Sequence, residues 1–347
     1  METINMVPPQ IEIFSTCPQS AAGDRRTYLQ DVKDVAQWSE RAGFDGMLVY
    51  SDNSQVDPWL ISQVIIQNTS HLCPLVAVQP VYMHPFTVAK MVSTLGYLFS
   101  RRVYLNLVAG GFKNDLMALN DTTPHDARYS RLTEYASILK LLLAGNGAAS
   151  FSGAYCKVEN LKLLPSLDPD LMPGIFVSGS SESGLAAAIA LDAVAIHYPE
   201  PSSSYSESFA RDSIGHGIRI GIVTRPSEQI AWRIARQYFP EDRRGQLTQQ
   251  VAMKVSDSQW HGQLSKLAET SSSNPYWLGP FQNYKTFCPY LVGNYEQVAS
   301  ELSAYLQIGI RTFILDIPRS EEDLAHINAA FRQAIELFTC QSFCRTG

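Results

Sequence analysis

Apolar residues in this chain fall into short, near-continuous runs separated by longer stretches with helical spacing. Eight runs read as strands: Ile11 to Thr16, Gly46 to Ser51, Pro74 to Pro80, Val103 to Val108, Gly174 to Ser178, Ala193 to His197, Ile218 to Thr224 and Thr312 to Ile317. Helical intervals recur over Tyr28 to Ala42, Pro58 to Gln67, Thr87 to Phe99, Arg128 to Leu143, Ser183 to Leu191, Ser227 to Phe239, Tyr295 to Ile308 and Glu321 to Leu337. Strands apolar on both faces, each paired with a helix, predict a parallel sheet covered by helices. Eight such units predict an α/β fold, a (β/α)8 TIM barrel.

Two segments exceed a minimal barrel. Within residues 145–170, the segment Ala149 to Pro165, with the stretch FSGAYCKVENLKLLP, alternates like a hairpin inserted after the fourth strand. Residues 240–293, an insertion after the seventh strand, carry Ser271 to Asn274 and the aromatic stretch NPYWLGPFQNYKTF. Tyr276, Trp277, Phe281, Tyr284 and Phe287 are too aromatic for a solvated linker, so this insertion reads as a lid over the barrel face that carries active sites. The organisation expected is one domain over residues 1–338 and a tail at 339–347.

Composition narrows the picture. The chain has 347 residues, more than the roughly 250 of a single (β/α)8 barrel, which fits one barrel with insertions. Its 27 basic and 33 acidic residues give a net charge of −6 with no basic block, so nucleic acid and anionic membrane are poor partners. METINMVPPQ is no signal sequence, and no run approaches the roughly 18 apolar residues of a membrane span, so a soluble cytoplasmic protein is expected. Cys17, Cys73, Cys156, Cys288, Cys340 and Cys344 form no C-x-x-C pair and read as reduced thiols. No further ligands accompany Cys340 and Cys344, and no histidine pair has metal spacing, so no metal is expected.

The segment from Arg102 to Glu134 carries the strongest chemical signal. Asn106 interrupts an apolar run, where an unpaired amide would cost on the order of 1 to 3 kcal/mol, so it needs a ligand, backbone or water partner. Gly110 and Gly111 then break the strand and let a planar ligand approach the backbone. His125 and Tyr129, four residues apart, share a helix face, with Arg128 free to pair with an acid such as Glu134. In FVSGSS, residues Gly179, Ser180 and Ser181 lie between a strand end and a helix start, a geometry suited to phosphate; the plainer alternative is a serine N-cap.

A strand Asn, a Gly-rich turn and an H-x-x-R-Y helix start, in that order, resemble the luciferase-like flavin-dependent monooxygenases, and within them the alkanesulfonate monooxygenase branch. GFDGMLVYSDNSQVDPW, LNLVAGG, HDARYSRLTEY, the FSGAYCKVEN hairpin and FVSGSS carry the resemblance, which runs from Ile11 to about Phe338. It implies a two-component enzyme: an NAD(P)H-dependent flavin reductase delivers reduced FMN, which activates O2 as a C4a-peroxyflavin to oxygenate a small organic substrate. It further implies a homodimer or homotetramer. By the same resemblance, Asn106 faces the isoalloxazine, His125 and Tyr129 approach the ribityl and phosphate region, and Gly179, Ser180 and Ser181 hold the phosphate. No G-x-G-x-x-G fingerprint is present for binding NAD(P)H directly, consistent with a separate reductase.

The substrate half departs from the sulfonate pattern. Arg219 is kept, but the branch's His two residues on is Gly221, its Cys aligns with Gln55, its lid Arg falls near Tyr284 or Lys285, and its Tyr after the last strand is Ile317. Cys17 stands where His is frequent. The substrate expected is therefore sulfonate-like or a natural-product intermediate. His197, ending the sixth strand, is a candidate acid or base, and Tyr50 a candidate on the substrate or flavin side. His84 opens a helix, whereas His71, His216, His261 and His326 read as loop or surface residues. Two alternatives stay open: an F420-dependent oxidoreductase of the same superfamily, and a flavin-binding barrel without catalysis.

Overall fold

The computed structural model describes residues 9–345 except 22, 112, 207–208, 210–212 and 256–274. The chain packs as two compact units, one mainly of residues 14–196 and the other mainly of residues 197–347 with the start of the chain up to Ile13.

In the first unit, β1 (Glu12–Thr16), β2 (Gly46–Val49), β3 (Cys73–Val78) and β4 (Tyr104–Val108) run parallel, with Phe14 beside Gly46, Met47 beside Pro74 and Ala77 beside Asn106. An antiparallel hairpin, β5 (Ala149–Ser152) and β6 (Lys157–Leu161), follows at the place expected for the first insertion. The parallel series resumes with β7 (Ile175–Ser178) against β4 and β8 (Val194–His197) against β7. The connecting helices are α1 (Tyr28–Arg41), α2 (Pro58–Asn68), α3 (Pro85–Phe99), the short α4 (Lys113–Ala118), α5 (His125–Leu143) and α6 (Glu182–Ala190). Their starts have local causes. Asp57 accepts from the amides of Trp59 and Leu60 ahead of Pro58, and the His84 ring accepts from Phe86 ahead of Pro85. Phe14 packs edge-on against Tyr104 and Phe176, at 5.0 and 5.4 Å between ring centres, at the heart of this sheet.

In the second unit, β9 (His216–Arg225) is long enough to pair twice: β12 (Ile310–Leu315) lies parallel to its first half, and β11 (Tyr290–Asn294) parallel to its second half, with Tyr290 beside Gly221. β10 (Tyr276–Trp277) adds antiparallel to β11. The helices are α7 (Glu228–Tyr238), α8 (Arg243–Val255), α9 (Gly279–Gln282), α10 (Tyr295–Gln307) and α11 (Glu321–Arg345). Asn294 and Gln297 form a reciprocal capping box at the start of α10. A buried ion pair joins Arg225 at the end of β9 to Asp323 in the first turn of α11.

β1, β2, β3, β4, β7, β8, β9 and β12 are the eight parallel strands of a (β/α)8 barrel. β11 lies at the end of the stretch expected to be pure insertion and pairs with the second half of β9, Gly221 to Arg225, beyond the part that pairs with β12. Tyr276 and Phe281 are buried, and Trp277 packs against the core cluster around Phe239 and Tyr290, so this end of the insertion is core. Ser271 to Asn274 lie outside the described residues. α11 continues past Leu337 into the expected tail and leaves Cys340 exposed.

Candidate active site

In the first unit, the polar cluster is built at the C-terminal ends of β4 and β7 and the starts of the helices that follow. Asn106 is buried, and its Oδ1 accepts from Ser178 Oγ at 2.7 Å. Ser178 stands on the neighbouring strand, two residues past Asn106's partner Phe176, and therefore on the same face. This bond orients the carboxamide and turns its N–H donors away from Ser178.

Tyr129, on the first turns of α5, donates to the Ser178 carbonyl at 3.4 Å, and burial raises its phenol, which stays protonated. A Cβ on Gly179 would lie 2.1 Å from Tyr129 Oη, so only glycine lets the phenol reach this strand end. Ser181 caps α6 by accepting from the Gly184 amide at 3.1 Å. Ser180 Oγ is buried with no hydrogen-bond partner among the described residues. His125 lies edge-on to Tyr129 at 5.3 Å, confirming their shared face, and donates to Asp126 at 2.8 Å. Asp126 also accepts from Ser183 Oγ at 2.6 Å, tying the start of α5 to the start of α6; these bonds, Ser183's first, hold its carboxyl below the ordinary range.

The other charged residues here bond to neighbouring protein groups. Arg128 Nη1 donates to the Thr123 carbonyl at 3.1 Å, and Arg131 pairs with Asp121 at 2.6 Å. Glu134 does not meet Arg128: its carboxylate accepts from the amides of Ala154, Tyr155 and Cys156 at 2.8, 2.8 and 3.0 Å and pins the β5–β6 turn.

A buried serine hydroxyl with its hydrogen-bonding capacity unspent, amides at the α6 N-terminus and a Gly179 approach make a donor set that fits a phosphate. The oriented Asn106 amide fits the edge of a flavin ring. Near it, a cavity of about 280 Å³ opens at the ends of β2 and β3, lined among others by Asp52, Trp59, Gln79 and Tyr82, and by Ala77, the register partner of Asn106. Tyr50 directly follows β2 and is half-buried. Gln55 accepts from the Ser20 amide and hydroxyl at 2.8 and 3.1 Å, joining two loops. Cys17 is a buried thiol pushed up to about 12 by burial, which makes it unreactive.

The second unit holds another polar cluster. Arg219, buried on β9, donates from Nη1 to Tyr198 Oη at 3.2 Å, and its Nη2 lies 3.9 Å from Asp316 Oδ1. Asp316 directly follows β12, and its Oδ2 accepts from Thr286 Oγ1 at 2.6 Å and Tyr290 Oη at 2.7 Å. The Tyr290 ring lies against Gly221, where a Cβ would come within 2.2 Å of the ring. The missing histidine thus coincides with space taken by a tyrosine from β11.

His197 Nε2 lies 3.1 Å from His216 Nδ1, with the rings 17° from parallel and Phe209 packed edge-on to His197. His216 is therefore a buried residue and not a surface one; it opens β9 beneath a covering aromatic. His326 is also no loop residue, being half-buried on α11 against Tyr295. His71 is exposed, as expected, and His261 lies outside the described residues. Among the described residues, no group of three or more His, Cys, Asp or Glu could hold a metal, and no helix is long and apolar enough to cross a membrane.

Residues 10–312 match the family described as luciferase-like monooxygenase. The chain belongs to that family. This luciferase-like monooxygenase is 35% identical, over 312 residues, to the 4-(gamma-L-glutamylamino)butanoyl-[BtrI acyl-carrier protein] monooxygenase BtrO of Niallia circulans, covering 88% of this chain and 91% of the relative. Its fold is that of EDTA monooxygenase (EmoA) from Chelativorans sp. BNC1, with a TM-score of 0.68 at 13% identity over 96% of this chain and 94% of that one. It is also that of the oxygenating constituent of 3,6-diketocamphane monooxygenase from Pseudomonas putida, a type II Baeyer-Villiger enzyme solved with FMN, with a TM-score of 0.66 at 15% identity over 93% and 96%.

Ser178, Tyr198, Thr286, Tyr290 and Asp316 complete the two polar clusters of this luciferase-like monooxygenase but are not among the residues its sequence singles out. Asp316 had a usable signal, being the first polar residue after the apolar run of β12, where barrel strands release their functional side chains. Thr286 and Tyr290 had none, because nothing in their spacing connects them to residue 316.

Proposed function

We propose that this chain is the oxygenating component of a two-component monooxygenase that receives reduced FMN from a separate NAD(P)H-dependent flavin reductase and oxygenates a small organic acyl substrate. The observation that carries it is the donor set around Gly179: Ser180 Oγ buried without a partner, Ser181 and the α6 amides beside it, and Tyr129 closing over the glycine. When bound, reduced FMN supplies the electrons that activate dioxygen.

The protein's own residues do the rest. Gly179, Ser180 and Ser181 hold the phosphate, with His125 and Tyr129 beside it, while Asn106, oriented by Ser178, holds the ring edge. Arg219, Tyr50 and His197 are the candidates on the substrate side. For His197, the bond to His216 favours positioning over proton transfer. The similarity to a monooxygenase that acts on an acyl group borne by a carrier protein supports a natural-product acyl intermediate over an alkanesulfonate.

Anaerobic titration with reduced FMN, followed by oxygen-uptake measurements with a flavin reductase and NAD(P)H, tests the proposal. Saturable binding is expected, weakened about tenfold in Asn106→Ala through loss of a ring-edge hydrogen bond. Binding of reduced F420 in place of reduced FMN would move the protein to hydride transfer. Binding of neither would leave a barrel without flavin catalysis.

A further inference from the structure

We infer that Asp316 determines substrate charge: by cancelling Arg219 it makes this cluster a receptor for an uncharged hydrogen-bonding group, an amide or alcohol, and not for a sulfonate or carboxylate. The inference rests on the monooxygenase reading and deepens it by naming the substrate class.

Arg219 is the cation that an anionic substrate would be expected to seek. Its side chain is 7% exposed and that of Asp316 is 11% exposed, so each charge feels the other with little screening by water. Asp316 is also fixed in place. Thr286 and Tyr290 both donate to Oδ2, at 2.6 and 2.7 Å, which leaves Oδ1 directed at Arg219. The backbone adds a third restraint, with the Asp316 amide donating to the Ile220 carbonyl at 3.2 Å. A carboxylate held by two donors on a tethered backbone does not swing aside when an anion arrives. The incoming anion would therefore meet a neutral pair and lose its hydration for little return.

Gly221 belongs to the same device. Any side chain there would displace the Tyr290 ring and with it one of the two donors that aim Asp316.

The test titrates the full-length protein by calorimetry with three four-carbon probes: butyramide, butanesulfonate and butylammonium. Wild type is expected to prefer butyramide. Asp316→Asn keeps the shape and, with its amide oxygen toward Thr286 and Tyr290, both of those bonds, but frees the Arg219 charge, and should tighten butanesulfonate by about tenfold. Arg219→Gln exposes the carboxylate and should tighten butylammonium by a similar factor without helping butanesulfonate. A wild type that prefers butanesulfonate, or a charge order unmoved by either substitution, would overturn the inference. If Asp316→Asn does not fold, the Arg219→Gln arm decides alone. Reduced FMN is titrated into the same preparations, so absence of flavin binding is read as failure of the monooxygenase proposal, separately from the charge order.

Discussion

Two adjacent serines of one motif differ in their hydrogen bonding, and substitution separates them. Ser181 Oγ caps a helix, whereas Ser180 Oγ is buried without a partner among the described residues. Ser181→Ala should lower unfolding free energy by about 1 kcal/mol, the usual worth of an N-cap, as read by urea denaturation. Ser180→Ala should leave that value nearly unchanged and weaken reduced FMN about tenfold. Asp121 makes a second residue-scale prediction. Burial pushes its carboxyl up, but Arg131 and Thr123 outweigh burial and hold it at about 2, against an ordinary 3.8. A carboxyl depressed in the folded state contributes stability above its unfolded value and loses that contribution as pH falls through the folded one. The stability advantage of wild type over Asp121→Asn should therefore be full at pH 5, where the unfolded carboxyl is ionised, and shrink between about pH 4 and 2. Urea midpoints at a series of pH values measure it.

At the scale of elements, the hairpin inserted after β4 hangs on one side chain. Glu134 accepts from three consecutive amides at its turn, and Gly153 admits that carboxylate because a Cβ would come within 2.3 Å of it. Glu134→Ala should cost roughly 1 to 3 kcal/mol through the orphaned amides. The loss should appear first as faster proteolysis and hydrogen exchange over residues 149–161. The hairpin was legible in the sequence because alternation is local; its anchor was not, because residue 134 and residues 154–156 are joined only by folding. The barrel strands were legible for the same reason, each being a short apolar run bounded by breakers, with ends off by a residue or two. β11 was not: YLVGN is as apolar as any of them, but it sits among aromatics that belong equally to a core. The residues proposed for the flavin side could be picked out as a polar intruder, a Gly–Ser turn and an i,i+4 pair. The cluster around Arg219 could not be assembled beyond that residue, since Arg219, the Thr286–Tyr290 segment and Asp316 come from three separate stretches.

For the molecule as a whole, the prediction concerns dependence on a partner. The purified chain with NAD(P)H and FMN alone should consume no oxygen beyond the buffer rate, and adding any competent flavin reductase should restore consumption. An oxygen electrode gives the answer directly, and uptake without a reductase would overturn the two-component reading. Arg225 and Asp323 tie the second unit together, joining its longest strand to its last helix through a buried ion pair. Removing one partner leaves an uncompensated buried charge, so Asp323→Ala should destabilise by roughly 3 to 5 kcal/mol in thermal or urea unfolding.

The Tyr290 ring against Gly221 also sets an order for change. A histidine introduced at 221 alone collides with the ring and should cripple the protein, while a smaller residue at 290 alone only opens a hole that the fold can tolerate. A lineage or a laboratory selection moving between the two arrangements must therefore shrink residue 290 before it enlarges residue 221. The reverse path is closed, and a library that randomises 221 by itself should return glycine.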